Sequence, residues 1–197
     1  MSNELTISSI LFSQPGSDNS DTTLAAGFKR ARELNIKSAL IATTSGNTAI
    51  KAAALNPDFK IVAVTHSTGF KEPDRQELTQ ENRQKLEKAG AKILTCQHAL
   101  GGVNRAVRRK FETYQLDEII ASVLRIQGEG FKVVCEISMM AADAGLVRTD
   151  EPILVIAGSS RGCDTAVIIK PANAQNFFAL RILEIICQPS PSHPSFG

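Results

Sequence analysis

Residues 38–55 read SALIATTSGNTAIKAAAL. An apolar run, 38–43, stops at two threonines, a serine and a glycine, and an alanine-rich run begins at once. The first run predicts a strand and the second, from about Asn47, a helix, with a hydroxyl-rich loop between them. The unit recurs along the chain. Further apolar runs of β type lie at 60–65 (KIVAVT), 91–95 (AKILT), 152–158 (PILVIAG) and 165–170 (TAVIIK). The first four runs are continuous rather than alternating, as in strands buried on both faces of a parallel sheet. TAVIIK follows its predecessor too closely for a parallel crossover, so it is expected antiparallel, at one side of the sheet.

Helical patterns fall between these runs. Residues 19–34 place Leu24, Phe28, Ala31 and Leu34 at helical spacing, with Asn19, Ser20 or Asp21 as N-cap. A polar surface helix is expected over 74–90, ended by Gly90, and an apolar-striped one over 131–145, ended by Gly145. Two more fit between 99 and 127, the first opened by Gly101 and Gly102. The alternation predicts an α/β fold: three layers around a mostly parallel sheet of about five strands, one of them antiparallel. A single ligand-binding domain is expected over 1–187, with 188–197 (QPSPSHPSFG) an irregular Pro/Ser-rich tail.

Composition narrows the partners. Of 197 residues, 43% are hydrophobic and 21% charged, and the net charge is +2, which gives no reason to expect nucleic acid. No apolar run approaches the ~20 residues needed to cross a bilayer. The N-terminal MSNELTISSILFSQPG lacks the basic start and long apolar stretch of a signal peptide, so a cytoplasmic protein is expected. Cys96, Cys135, Cys163 and Cys187 form no C-x-x-C pair and read as free thiols rather than zinc ligands. A homo-oligomer is compatible with all of this.

In an open parallel sheet, ligands bind beyond the carboxyl ends of the strands. Those ends read TTSGNT, THSTGF, TCQHALGG and GSSRGCDT, and each carries hydroxyls, glycine or an imidazole. In TTSGNT, Gly46 permits close backbone approach, and a helix starting near Asn47 presents free N–H groups backed by a positive dipole end. Thr43, Thr44, Ser45 and Thr48 add hydroxyls. That is the chemistry of a phosphate cradle; the plainer reading is a helix capped by Ser45 or Asn47. GSSRGCDT offers a second anion loop in which Arg161 supplies a two-pronged clamp; its plainer reading is a turn. His66 and His98 close two strands and can hydrogen-bond a ligand. Cys163 can be read as a thiol nucleophile, although no group to orient a partner is visible. Glu136 and Asp143 share a helix face, and Arg105, Arg108, Arg109 and Lys110 cluster near a helix end, where basic residues suit the dipole.

Taken together, IATTSGNTAIKAAAL, VTHSTGFKEP, HALGGVNRAVRRKF, EISMMAADAG and AGSSRGCDTAVIIKPANAQNFFALRILEI resemble the pyruvate kinase C-terminal (alpha/beta) domain. The likeness is closest to small stand-alone proteins of that kind. The resemblance implies the fold and a phosphate site at Thr43, Thr44, Ser45, Gly46, Asn47 and Thr48. In some pyruvate kinases this loop receives the phosphate of a sugar-phosphate effector. Some stand-alone proteins of the kind bind flavin mononucleotide (FMN), so FMN is the implied cofactor. By position on the rim, its other contacts are Thr65, His66, Gly69, His98, Ser159, Ser160, Arg161 and Gly162. The alternative is a regulatory module that senses a sugar phosphate without flavin. Pyruvate kinase activity is not expected, because that chemistry sits on a barrel of ~250 residues.

Overall fold

The computed structural model describes residues 4–192. In chain order the elements are β1 (Ile10–Phe12), α1 (Ser20–Glu33), β2 (Ser38–Ala42), α2 (Asn47–Leu55), β3 (Lys60–Val64), α3 (Gln80–Lys88), β4 (Lys92–Leu94), α4 (Val103–Phe111), α5 (Leu116–Leu124), α6 (Glu129–Asp143), β5 (Ile153–Ala157), β6 (Thr165–Lys170) and β7 (Arg181–Pro189). The strands form one sheet in the order β1-β7-β6-β5-β2-β3-β4. Only β6 runs against the rest: it pairs antiparallel with β5 and with β7.

Successive side chains of a strand point to opposite faces, and here each face meets a helical layer. Ala39 and Ile41 of β2 share a core with Leu24 and Phe28 of α1, Ala49 and Ala52 of α2 and Leu86 of α3. Leu40, between them, packs with Val134, Ile137 and Met140 of α6 on the other face. The expected three layers are present. Each buried Leu, Ile or Phe side chain contributes about 1.5–3 kcal/mol. The alanines that α2 turns inward are small, so that helix lies close to the sheet.

Strand order fixes where a ligand can bind. The chain runs outward from β2 to β3 and β4, then returns through α4, α5 and α6 to place β5 on the other side of β2. The direction of winding therefore reverses between β2 and β5. The loops after these two strands splay apart and leave a crevice. They are the TTSGNT and GSSRGCDT loops.

Three expectations need correction. The sheet has seven strands rather than five, because β1 and β7 extend it. That extension moves β6 from the side of the sheet to its interior, where all but its last residue are buried. The helix expected over 74–90 begins only at Gln80, capped by Thr79, whose Oγ accepts the Asn82 N–H at 3.2 Å. Residues before it turn instead, with Asp74 at φ 61°. The last strand runs to Pro189, and residues 193–197 of the Pro/Ser-rich stretch lie outside the described residues. Among the described residues no helix is long and apolar enough to cross a membrane.

Candidate functional site

The loop after β2 turns at Gly46, which has φ 99° and serves as the N-cap of α2. No side chain caps this helix. Its first internal bond runs from the Ile50 N–H to the Gly46 carbonyl at 2.9 Å, so the N–H groups of Asn47, Thr48 and Ala49 precede any intrahelical acceptor. The Gly46 N–H itself donates to Thr43 Oγ1 at 3.1 Å and is buried. It is therefore spent on the turn and not available as the phosphate donor that the sequence suggests. From the far side, Asn82 Nδ2 donates to the Ser45 carbonyl at 2.7 Å and to Asn47 Oδ1 at 3.2 Å, which ties the loop to α3.

The loop after β5 is held by a residue that the sequence reading passed over. Asp164 is fully buried. Its Oδ2 accepts the N–H of Gly16 at 2.9 Å and of Ser159 at 3.2 Å, and its Oδ1 accepts the Thr165 hydroxyl at 3.0 Å. The Cys163 N–H donates to Ser20 Oγ at 3.0 Å. With its two ends fixed in this way, the loop presents Ser160, Arg161 and Gly162 to the crevice. Burial pushes the Cys163 thiol up to about 12, so it stays protonated at neutral pH, and the nucleophile reading does not stand.

Between the loops lies a cleft of about 890 Å³. Eleven of the fourteen residues singled out from the sequence line it: Thr43, Thr44, Ser45, Asn47, Thr48, Thr65, His66, His98, Ser160, Arg161 and Gly162. The other three do not. Gly46 is buried beneath its own loop, the Ser159 N–H faces Asp164, and Gly69 borders a neighbouring cavity. Thr65 is on the wall but already occupied, its Oγ1 lying 2.7 Å from Thr95 Oγ1 and 2.9 Å from the His66 carbonyl.

The floor comes from α6. Lys132 and Glu136, one turn apart, have side chains 4% and 3% exposed, and Lys132 Nζ donates to Glu136 Oε2 at 2.5 Å. Glu136 Oε1 also accepts the Leu100 N–H at 2.9 Å. His98 stands above this pair, its Nδ1 4.0 Å from Glu136 Oε2, and its Nε2 is buried with no hydrogen-bond partner. Burial lowers the His98 pKa by more than Glu136 raises it, so the ring is neutral at neutral pH. The rings of His66, Phe70 and His98 form one wall, with Phe70 stacked on His98 at 5.0 Å. His66 Nδ1 lies 2.6 Å from Glu77 Oε2, and Lys71 Nζ pairs with Oε1 of the same carboxylate at 2.6 Å. Burial raises the Glu77 pKa, but the Lys71 and His66 bonds outweigh it and hold the group below the usual carboxylate range.

Glu136 and Asp143, which share a face by spacing, have different fates. Asp143 is exposed and accepts from Asn173 Nδ2 and the Ala174 N–H. The signal for the buried floor is legible in hindsight: FKVVCEISMMAA sets one Lys and one Glu, four apart, in a stretch otherwise apolar but for Ser138.

A profile of the family described as "Pyruvate kinase, alpha/beta domain" matches residues 21–169, which takes in every strand of the crevice and both of its loops. The chain belongs to the pyruvate kinase alpha/beta domain family. As a member of that family it is similar to solved pyruvate kinases of low identity. One from Cryptosporidium parvum is 16% identical, with a TM-score of 0.42, over 77% of this chain and 22% of that one. A second C. parvum pyruvate kinase structure, in complex with ADP, is 14% identical with a TM-score of 0.38, over 86% and 23%. An O-ureido-L-serine synthase is 17% identical with a TM-score of 0.31, over 66% and 49%. This alpha/beta domain chain thus spans about a fifth of the length of the pyruvate kinases that it matches.

Proposed function

We propose that this alpha/beta domain protein binds a phosphorylated small molecule, FMN foremost, with the phosphate on the Thr43–Thr48 loop. The observation that carries this reading is the open first turn of α2. It has no side-chain cap, and it faces a cleft at the reversal of strand order. The hydroxyls of Thr44, Ser45 and Thr48 border the same space and have no protein partner. N–H groups without an acceptor, backed by a dipole, favour an anion. Arg161 lines the cleft without a carboxylate partner and adds positive charge, while Lys51, also on the wall, is paired with Asp21. The volume lies within the range of cofactor sites, and the His66, Phe70 and His98 rings, packed on one another, give the cleft an aromatic wall. Bound FMN would supply hydride and single-electron chemistry; the residues here would bind and orient it. The four cysteines are free thiols, in keeping with a reducing, cytoplasmic setting.

The test is to titrate the purified chain with FMN and with riboflavin, which lacks only the phosphate, and to follow flavin fluorescence. Each charge-assisted bond is worth roughly 1.5–3 kcal/mol, so losing two should weaken binding at least ~100-fold. Equal affinity for the two flavins returns the loop to a plain turn. A chain that ignores both flavins but is stabilised against heat by a sugar phosphate moves the assignment to the sensor reading.

A further inference from the structure

Beyond the His98–Phe70 wall lies a second cavity of about 440 Å³, lined by Ser67, Gln97, Arg105, Arg109 and Lys110 among others. His98, Phe70 and Arg105 border both cavities, so the two are neighbours across a thin partition. The charge is what sets this cavity apart. Seven of the eleven arginines pair with a carboxylate. Of the other four, Arg181 gives Nη1 to two backbone carbonyls. The remaining three, Arg105, Arg109 and Arg161, all line one of the two cavities. No carboxylate borders the second cavity.

Local structure accounts for part of this charge: Arg109 and Lys110 lie in the last turn of α4, where the dipole favours cations, but it does not account for Arg105. Arg105 stands in the first turn of α4, where the helix dipole is positive and a cation is disfavoured. Arg109 follows one turn later, and like charges at this spacing repel. Arg105 lies 5.3 Å from the centre of the Phe70 ring, held against the partition. In the partition itself His98 Nε2 is buried without a partner, so a buried polar atom between the two cavities still lacks its hydrogen bond.

We propose that this second cavity is an anion subsite, built for a phosphate or carboxylate group. It stands whether or not the main cleft holds a flavin. The anion has two sources: the far end of a molecule seated in the main cleft, or a separate small anion bound beside it.

Inorganic pyrophosphate is the probe, titrated calorimetrically into the full chain. Two sites per chain are expected. The double variant Arg109→Ala/Lys110→Ala should weaken one site at least tenfold and leave the other within twofold. Both positions are exposed helix surface, so circular dichroism should be unchanged. Ser45→Asp should remove the other site alone. Repeating the titration on FMN-saturated protein separates the sources: an intact second site means a separate anion, and a blocked one means a ligand that spans both cavities. Pyrophosphate binding indifferent to Arg109→Ala/Lys110→Ala overturns the proposal. Loss in that variant combined with indifference to Ser45→Asp leaves the subsite standing and removes the phosphate reading of the first loop.

Discussion

Gly46 carries the loop at φ 99°, and a Cβ there would sit 2.7 Å from Leu78 Cδ1 and 3.0 Å from Asn82 Cβ. Leu78 is packed in the core and Asn82 is bonded to the loop, so the clash adds to the backbone strain. Gly46→Ala should therefore cost about 1–3 kcal/mol, read as a lowered urea midpoint. Ser45 is the better place to test charge. Ser45→Asp puts a carboxylate beside the open turn of α2, where it suits the helix and repels a phosphate. Stability should hold while FMN affinity falls at least tenfold in a fluorescence titration. His98 gives a pH signature. Its folded pKa lies below the unfolded value, so the unfolded chain takes up the proton first. The contribution is complete above about pH 6.5 and is lost as pH falls from there through the folded value. Urea midpoints at pH 7.5 and 5.5 should differ less in His98→Gln than in the parent chain. The sequence shows the loop hydroxyls and both histidines, because strand ends mark the rim. It does not show Glu77 or Asp164 as their anchors, since each meets its partners through irregular segments that carry no period.

The pair on α6 makes the clearest case for an element whose charges follow from its place. A buried ion pair is poor at stabilising a fold, yet breaking one is costly. Lys132→Met takes away the ion-pair partner of Glu136 in the floor, and about 3–5 kcal/mol of stability should go. The double variant Lys132→Met/Glu136→Met should recover most of this in urea denaturation. Recovery stays incomplete, because the Leu100 N–H loses its acceptor at a cost of about 1–3 kcal/mol. A double variant no better than the single would mean that the pair does not act as a unit. Helices of this kind were legible where they carry an apolar stripe, as α1 and α6 do. Helix α3 is legible only in part: DRQELTQENRQKLEK is polar apart from Leu78 and Leu86, too few to set a stripe, so little in it marks the start except the cap at Thr79.

Strand order, and with it the site at the reversal between β2 and β5, depends on all seven strands together. The runs of β2, β3, β5 and β6 announce themselves because burial on two faces demands unbroken apolar sequence, and β4, a short and partly exposed strand at the far edge, is still apolar enough to read. The outer pair does not. β1 has three residues, largely exposed, and the exposed first half of β7 mixes polar and apolar positions. Yet these two strands lie side by side, Ile10 opposite Cys187, and Ser9 Oγ donates to the Ile186 carbonyl across 177 positions of chain. That contact has a kinetic meaning. Non-local pairings form slowly, since the loop must close before any contact rewards it. β1 should dock after the central strands have assembled, and in pulsed hydrogen exchange its amides should be the last to gain protection. Until then β7 stands as a long open edge, able to recruit a strand from another molecule. Leu11→Pro, at an exposed position of β1, should therefore leave the main urea transition nearly in place while raising light scattering during refolding at micromolar concentration. A short strand of little thermodynamic weight would then act as the guard against aggregation.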